Sequence, residues 1–171
     1  MTEILTPDEI SQLSLRAIVA LCSRCASRCR SEFDLPGNTP CRGQIMAAVD
    51  TAIQMARDFA AGLPLPSNAY EIDKEAMSAA GKAPASMFGT SATDAGIAAG
   101  VALTIQEGRI DLVPYRAQMC VGSVGRAAVA AKFDYNRLLQ LKLGTFPEMG
   151  QPVDCTESGP LGPLWGRTQM T

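Results

Sequence analysis

From Leu15 onward the apolar residues Leu15, Ile18, Cys22, Cys25, Cys29 and Phe33 recur every three or four positions. Only an α-helix turns that spacing into one continuous stripe. Val19 and Ala26 widen the stripe, and the start of the segment is marked upstream. Thr6 is placed to cap free amides, Pro7 sits where a missing N–H costs nothing, and Glu9 completes a capping box three residues on. Leu5 and Ile10 have the spacing of a hydrophobic staple. Either Ser11 or Ser14 could cap a second helix and so divide the segment. The opposite face carries Arg16, Arg24, Arg28 and Arg30, with no acid between Asp8 and Glu32. Acids at the start and bases toward the end match the helix dipole. Asp34-Leu35-Pro36-Gly37-Asn38 stops the segment.

The same devices recur downstream. Thr39-Pro40 predicts a second helix with the stripe Ile45, Val49, Ala52, Ile53, Ala56 and Phe59, closed by Gly62. The stiff loop Pro64-Leu65-Pro66-Ser67 leads to a third helix from Asn68, with Glu71 three later, to about residue 80. Ser91 with Asp94 predicts a fourth helix to about residue 107, ended by Gly108. Inside it Ala92, Gly96, Gly100 and Thr104 form a ridge of small residues at four-residue spacing. Each interior glycine costs about 1 kcal/mol against alanine, so a closely packed helix is expected to compensate. A self-association face, giving a homo-oligomer through Gly96 and Gly100, is the alternative. Residues 109–113 read as a short extended segment. Pro114 opens a helix holding Tyr115, Met119 and Cys120, and Gly122 and Gly125 interrupt it before a helix over 126–143. Val129, Phe133, Leu138 and Leu139 lead the apolar face of that last helix, and Gly144 caps it. The fold predicted is all-α: a single bundle of five to seven helices over residues 1–144, with an irregular Pro/Gly-rich arm over 145–171 that packs on the bundle or on a partner.

A chain of 171 residues buries roughly 70% of its unfolded surface. With five Phe, three Tyr and one Trp, its core is filled by close helix approach rather than by large rings. There is no histidine. That removes Ser-His-Asp and Cys-His catalysis, histidine metal sites and the Glu-x-x-His pairs of di-iron bundles. It likewise removes the Arg…His chemistry of the small helical ribonucleases of toxin systems. A net charge of −2 leaves no basic field for nucleic acid. The first ten residues contain Glu3, Asp8 and Glu9 and no long apolar run, so a signal peptide is not expected. No apolar stretch reaches the length that spans a bilayer. Six cysteines in that setting read as reduced thiols of a cytoplasmic protein.

Three groups of residues are candidates for function. Cys22, Cys25, Cys29 and Cys41 are enough thiolates for a metal or iron–sulfur shell. The first three, however, fall on the apolar stripe, where cysteine behaves as a small buried hydrophobe; no cofactor is expected, and redox sensing stays open through the nearby arginines. Arg24, Arg28 and Arg30 are candidates for an acidic partner or a phosphate, against the simpler reading of a solvated face. Leu161, Leu164 and Trp165 lie on a Pro-stiffened arm, which either folds back over the bundle or anchors a partner.

Leu13-Ser14-Leu15-Arg16-Ala17 with the Cys/Arg helix, Asp134-Tyr135-Asn136-Arg137-Leu138-Leu139, Leu143-Gly144-Thr145-Phe146-Pro147-Glu148 and the terminal Gly-Pro-Leu-Gly-Pro-Leu-Trp together resemble a family of small, alanine-rich, uncharacterised helical bacterial proteins. More loosely, the Ala-rich middle is similar to helical putative immunity proteins. The resemblance implies an all-helical bacterial cytosolic protein and transfers no catalytic residue. The expected function is a non-enzymatic protein-binding module: an adaptor, inhibitor or immunity-type protein of a bacterial defence or conflict system, whose partner is another protein. A cysteine-based metal-binding or redox-sensing regulator is the alternative, and an enzyme using acid or cysteine chemistry is a third reading.

Overall fold

The computed structural model describes residues 4–32, 35–82, 87–121 and 125–164. Among them are seven α-helices and no strand: α1 (Pro7–Ile10), α2 (Leu15–Glu32), α3 (Arg42–Ala60), α4 (Ala69–Lys82), α5 (Met87–Gln106), α6 (Val113–Val121) and α7 (Gly125–Leu141). The all-α bundle is as the sequence predicts. Residues 32–34, 83–89 and 122–127, together with the two ends, contribute no described side chains.

Two helices form the centre. α5 is apolar around its whole circumference, so it is stable only where neighbours cover every side. It packs against α2, α3, α4 and α6 and buries Ala92, Ala95, Ala98, Ala99, Val101 and Ala102. α2 touches α3, α5, α6 and α7. From Leu15 to Cys29 only Arg16 is even partly exposed. The predicted apolar stripe is therefore buried from Leu15 to Cys29, and so are Arg24 and Arg28 on the face opposite it; Phe33, its last member, lies outside the described residues.

The N-terminal signals act as read. Glu9 N–H donates to Thr6 Oγ1 at 3.2 Å, and Thr6 N–H donates back to Glu9 Oε2 at 2.9 Å. Leu5 and Ile10 are buried. Lys132 Nζ lies 2.5 Å from Glu9 Oε1. This contact, then the Thr6 amide, holds the Glu9 carboxyl below its ordinary value. The helical segment divides before Leu15, where Ser14 Oγ accepts from Ala17 N–H at 3.4 Å. Gly62 (φ +96°) and Gly108 (φ +75°) end α3 and α5. In each case the following residue donates back into the last turn, Leu63 N–H to Asp58 O and Arg109 N–H to Thr104 O.

Four local expectations are corrected. Thr39-Pro40 forms a turn outside α3, whose N-cap is Cys41 in the left-handed region (φ 55°) with no side-chain cap. α5 starts at Met87, so Ser91 and Asp94 are buried residues inside it rather than its caps. Residues 109–113 are not extended: Ile110–Leu112 is one 3-10 turn leading straight into α6. On α7, Phe133 is 59% exposed, while the residue beside it, Asp134, is 2% exposed in its side chain.

The glycine ridge is used internally. A Cβ on Gly96 would collide with Met77 Sδ, and one on Gly100 would sit 3.3 Å from Asp73 Oδ1. α4 thus lies against the ridge, which is buried and not open to a second copy. This close backbone approach offsets the helix-propensity cost of both glycines.

Residues 145–164 run back along α2. Phe146 N–H donates to Leu13 O at 2.8 Å. The first amides of α2, from Leu15 and Arg16, donate to Glu148 O and Met149 O at 2.9 and 3.0 Å. A helix start otherwise short of acceptors is closed by another part of the backbone. Further on, Val153 N–H donates to Ala60 O, and Val153, Cys155 and Leu161 enter the core. Gly150 makes the crossing possible: its φ is +76°, and an added Cβ would overlap Ser14 and lie 2.7 Å from Leu143 O. Gly150→Ala is expected to destabilise by about 2 kcal/mol or more, from left-handed strain plus overpacking. Gly81→Ala, at an exposed helical site with nothing within 4 Å of the added Cβ, is expected to be neutral or stabilising by up to about 1 kcal/mol. Urea unfolding of the two variants checks both.

Candidate functional site

The arginine face of α2 is the first place to look. Arg24 and Arg28 are 0% and 5% exposed. Both guanidiniums meet the buried Asp134 carboxylate from α7: Arg24 Nε at 3.0 Å from Oδ2, and Arg28 Nη2 in short contact with the same oxygen. Arg24 also donates to the arm, from Nη1 to Gly162 O at 2.9 Å and from Nη2 to Pro163 O at 3.1 Å. A longer bond, at 3.4 Å, reaches Cys155 O. Nε and Nη1 of Arg28 are buried with no hydrogen-bond partner among the described residues.

Arg24 and Arg28 are therefore not a charged surface offered to an acidic partner. Such long cations are almost never fully buried unless paired, and here the pair is Asp134, 110 and 106 positions away. Arg30 is different: it stays at the surface and holds Asp50 of α3 at 2.8 Å. Leu161 is buried in the core and Leu164 is half-buried. Trp165 lies outside the described residues.

The thiols divide the same way. Cys22, Cys25, Cys29, Cys120 and Cys155 are buried, and Cys41 is exposed. Cys29 Sγ donates to Asp94 Oδ2 at 3.2 Å, and Cys120 Sγ donates to Cys22 O at 3.5 Å. Burial pushes the Cys25 thiol well above its ordinary value. Contact with the Cys22 thiol, then burial, does the same to Cys120, and burial raises Cys155. Such thiols stay protonated and are poor nucleophiles. Cys41 is the N-cap residue of α3 and exposed. No group of three or more His, Cys, Asp or Glu suited to a metal ion occurs among the described residues.

The surface holds a concave site that the sequence reading treated only as a connector. Leu63-Pro64-Leu65-Pro66, following the Gly62 turn, stands beside α3 and borders an open, shallow groove of about 710 Å³. Met55 and Ile72 are buried beneath it and Leu65 is half-buried. Leu63 is 55% exposed at the rim. Asp50 and Asp58 of α3 complete the wall. A second groove of about 450 Å³ continues along α3 toward Cys41, bordered by Glu75, Ser78 and Lys82 of α4; Thr51 lines both. Two proline rings fix the rim with little conformational freedom left to lose on binding. The alternation of leucine and proline was the available signal for this site.

Tyr115 and Met119, each 64% exposed one turn apart on α6, are a second, convex apolar feature. Compared with known proteins, the chain matches no family model, no curated protein and no solved structure.

Asp134→Asn leaves two buried guanidiniums without a counter-charge and is expected to cost about 3 kcal/mol or more. For a chain of this size that is a fall in Tm of roughly 10 °C, measured by circular dichroism. A thiol reagent is expected to find one fast-reacting cysteine in the native protein and all six in denaturant, with the fast phase lost in Cys41→Ser.

Proposed function

We propose that this chain is a non-enzymatic protein-binding module, of the adaptor, inhibitor or immunity type, and that it engages its partner in the groove between α3 and residues 63–66. One observation carries the reading: an apolar floor of Met55, Leu65 and Ile72 lies open under a proline-stiffened rim on which Leu63 is exposed. Concave, largely pre-formed apolar sites with a few charged groups are where proteins take ligands, and a stiff rim lowers the entropy lost on docking.

The structural role of the arginines supports the same placement. Arg24 and Arg28 are occupied by Asp134 and the arm, so an electrostatic docking face on α2 loses its two central residues. Arg30 remains at the surface, next to the groove through Asp50. Burial and raised pKa values of Cys25, Cys120 and Cys155 weigh against thiol chemistry as the main activity. The sequence resemblance to small helical bacterial proteins is the ground for including a bacterial cytoplasmic setting in this proposal, in which an immunity-type role would pair the module with a second protein rather than with a small-molecule substrate.

Leu63→Ser removes the exposed anchor without touching the core. The protein, tagged and captured from bacterial lysate beside this variant, is expected to retain a stoichiometric partner that the variant loses by at least ten-fold at unchanged Tm. Equal recovery by both forms overturns the assignment of the groove.

A further inference from the structure

The chemistry of the groove narrows what fills it. Two cavities that share Thr51 as a lining residue, together called the trough, have linings that span α3 from Cys41 to Asp58. At the α-helical rise this is roughly 25 Å, enough for about eight residues of extended peptide. Its floor is apolar at the Leu63 end, as described above. Its charges are unequal. Asp50 is already held by Arg30, with Nε–Oδ1 at 2.8 Å. Asp58 is not: its Oδ1 accepts from the neutral Gln54 Nε2 at 2.7 Å, and no ion pair reaches it among the described residues. Glu75, on the α4 side, is exposed and has no ion pair among the described residues either. Among the described residues lining the trough, the one cation is Lys82, at the far end.

Resting on the docking groove proposed above, we infer that the occupant is a partner segment in which apolar side chains are flanked by lysine or arginine. The apolar side chains fill the floor over Met55, Leu65 and Ile72, and the flanking cation meets the Asp58 carboxylate. Apolar contact supplies affinity, while the carboxylate at the wall rejects segments with acidic flanks, because like charges brought together while losing water are costly. The thiol of Cys41 opens into the other end of the trough, and it is the exposed one of the six.

That thiol is also the probe. An environment-sensitive fluorophore on Cys41 is titrated with two synthetic nine-residue peptides, each with a leucine-rich centre, one ending in lysines and the other in glutamates. Calorimetry on unlabelled protein repeats the titration. The lysine-ended peptide is expected to bind at least ten-fold more tightly. Asp58→Lys is expected to abolish that preference, whereas Asp8→Lys, on the exposed surface of α1, leaves it unchanged. Equal binding of both peptides, lost in Leu63→Ser, overturns the charge selection and leaves the groove reading intact. Equal weakening by Asp58→Lys and Asp8→Lys assigns the binding to net charge and overturns the inference. If neither peptide binds, the inference fails; the groove reading then stands or falls separately, on whether capture of a lysate partner depends on Leu63.

Discussion

A single carboxylate, Asp134, ties three parts of the chain together. It receives Arg24 and Arg28 of α2 from its place on α7, and Arg24 reaches onward to the arm at Gly162 and Pro163. Taking one acid and two bases out of water carries a large desolvation cost, and their mutual attraction repays it only when the geometry is good. Such a cluster therefore contributes little to net stability. Its effect is on uniqueness: α7 and the arm have one arrangement in which neither guanidinium is stranded. The orphaned Nε and Nη1 of Arg28 show that even this arrangement is not fully satisfied among the described residues.

The part of the core supplied by α5 is built largely from small residues. α5 presents alanine and glycine to its neighbours, so helices approach closely and α4 settles onto Gly96 and Gly100. Large apolar side chains are left over, and several appear at the surface: Leu63, Tyr115, Met119 and Phe133. The groove follows from this economy. α3 turns its buried face inward through Val49, Ala52, Ile53 and Ala56, and the proline loop stands beside Asp50, Thr51, Gln54, Met55 and Asp58.

Local signals were legible and long-range ones were not. The Thr6–Glu9 capping box, the break at Ser14 and the glycine stops at Gly62 and Gly108 are fixed within a few residues of chain, and each holds. The phase of α7 is not legible locally, because a charged residue beside Phe133 is ordinarily the solvated one; the partners that bury Asp134 lie more than a hundred positions away. The same distance hid the burial of Arg24 and Arg28. Ser91 and Asp94 imitate a cap because a serine followed three later by an acid suits a helix start, and equally suits two polar residues on one buried face. The uniform apolarity of α5 supplied no period to correct it. The groove needs α3, α4 and the 63–66 loop at once, so only its leucines and prolines could be read.

The arm gives the fold an inverted order of completion. α2 is made well before residues 145–164, yet its opening amides are closed by Glu148 and Met149, and Arg24 waits for a carbonyl 139 positions later. Until Asp134 and residues 155–163 have been added, a growing chain carries an arginine helix whose counter-charge and cover do not yet exist. Helix formation can start early, but the packing around Arg24 and Arg28 cannot close before those residues are present. Chains stopped before Asp134 therefore differ from longer ones in the neutralisation of α2 as well as in length.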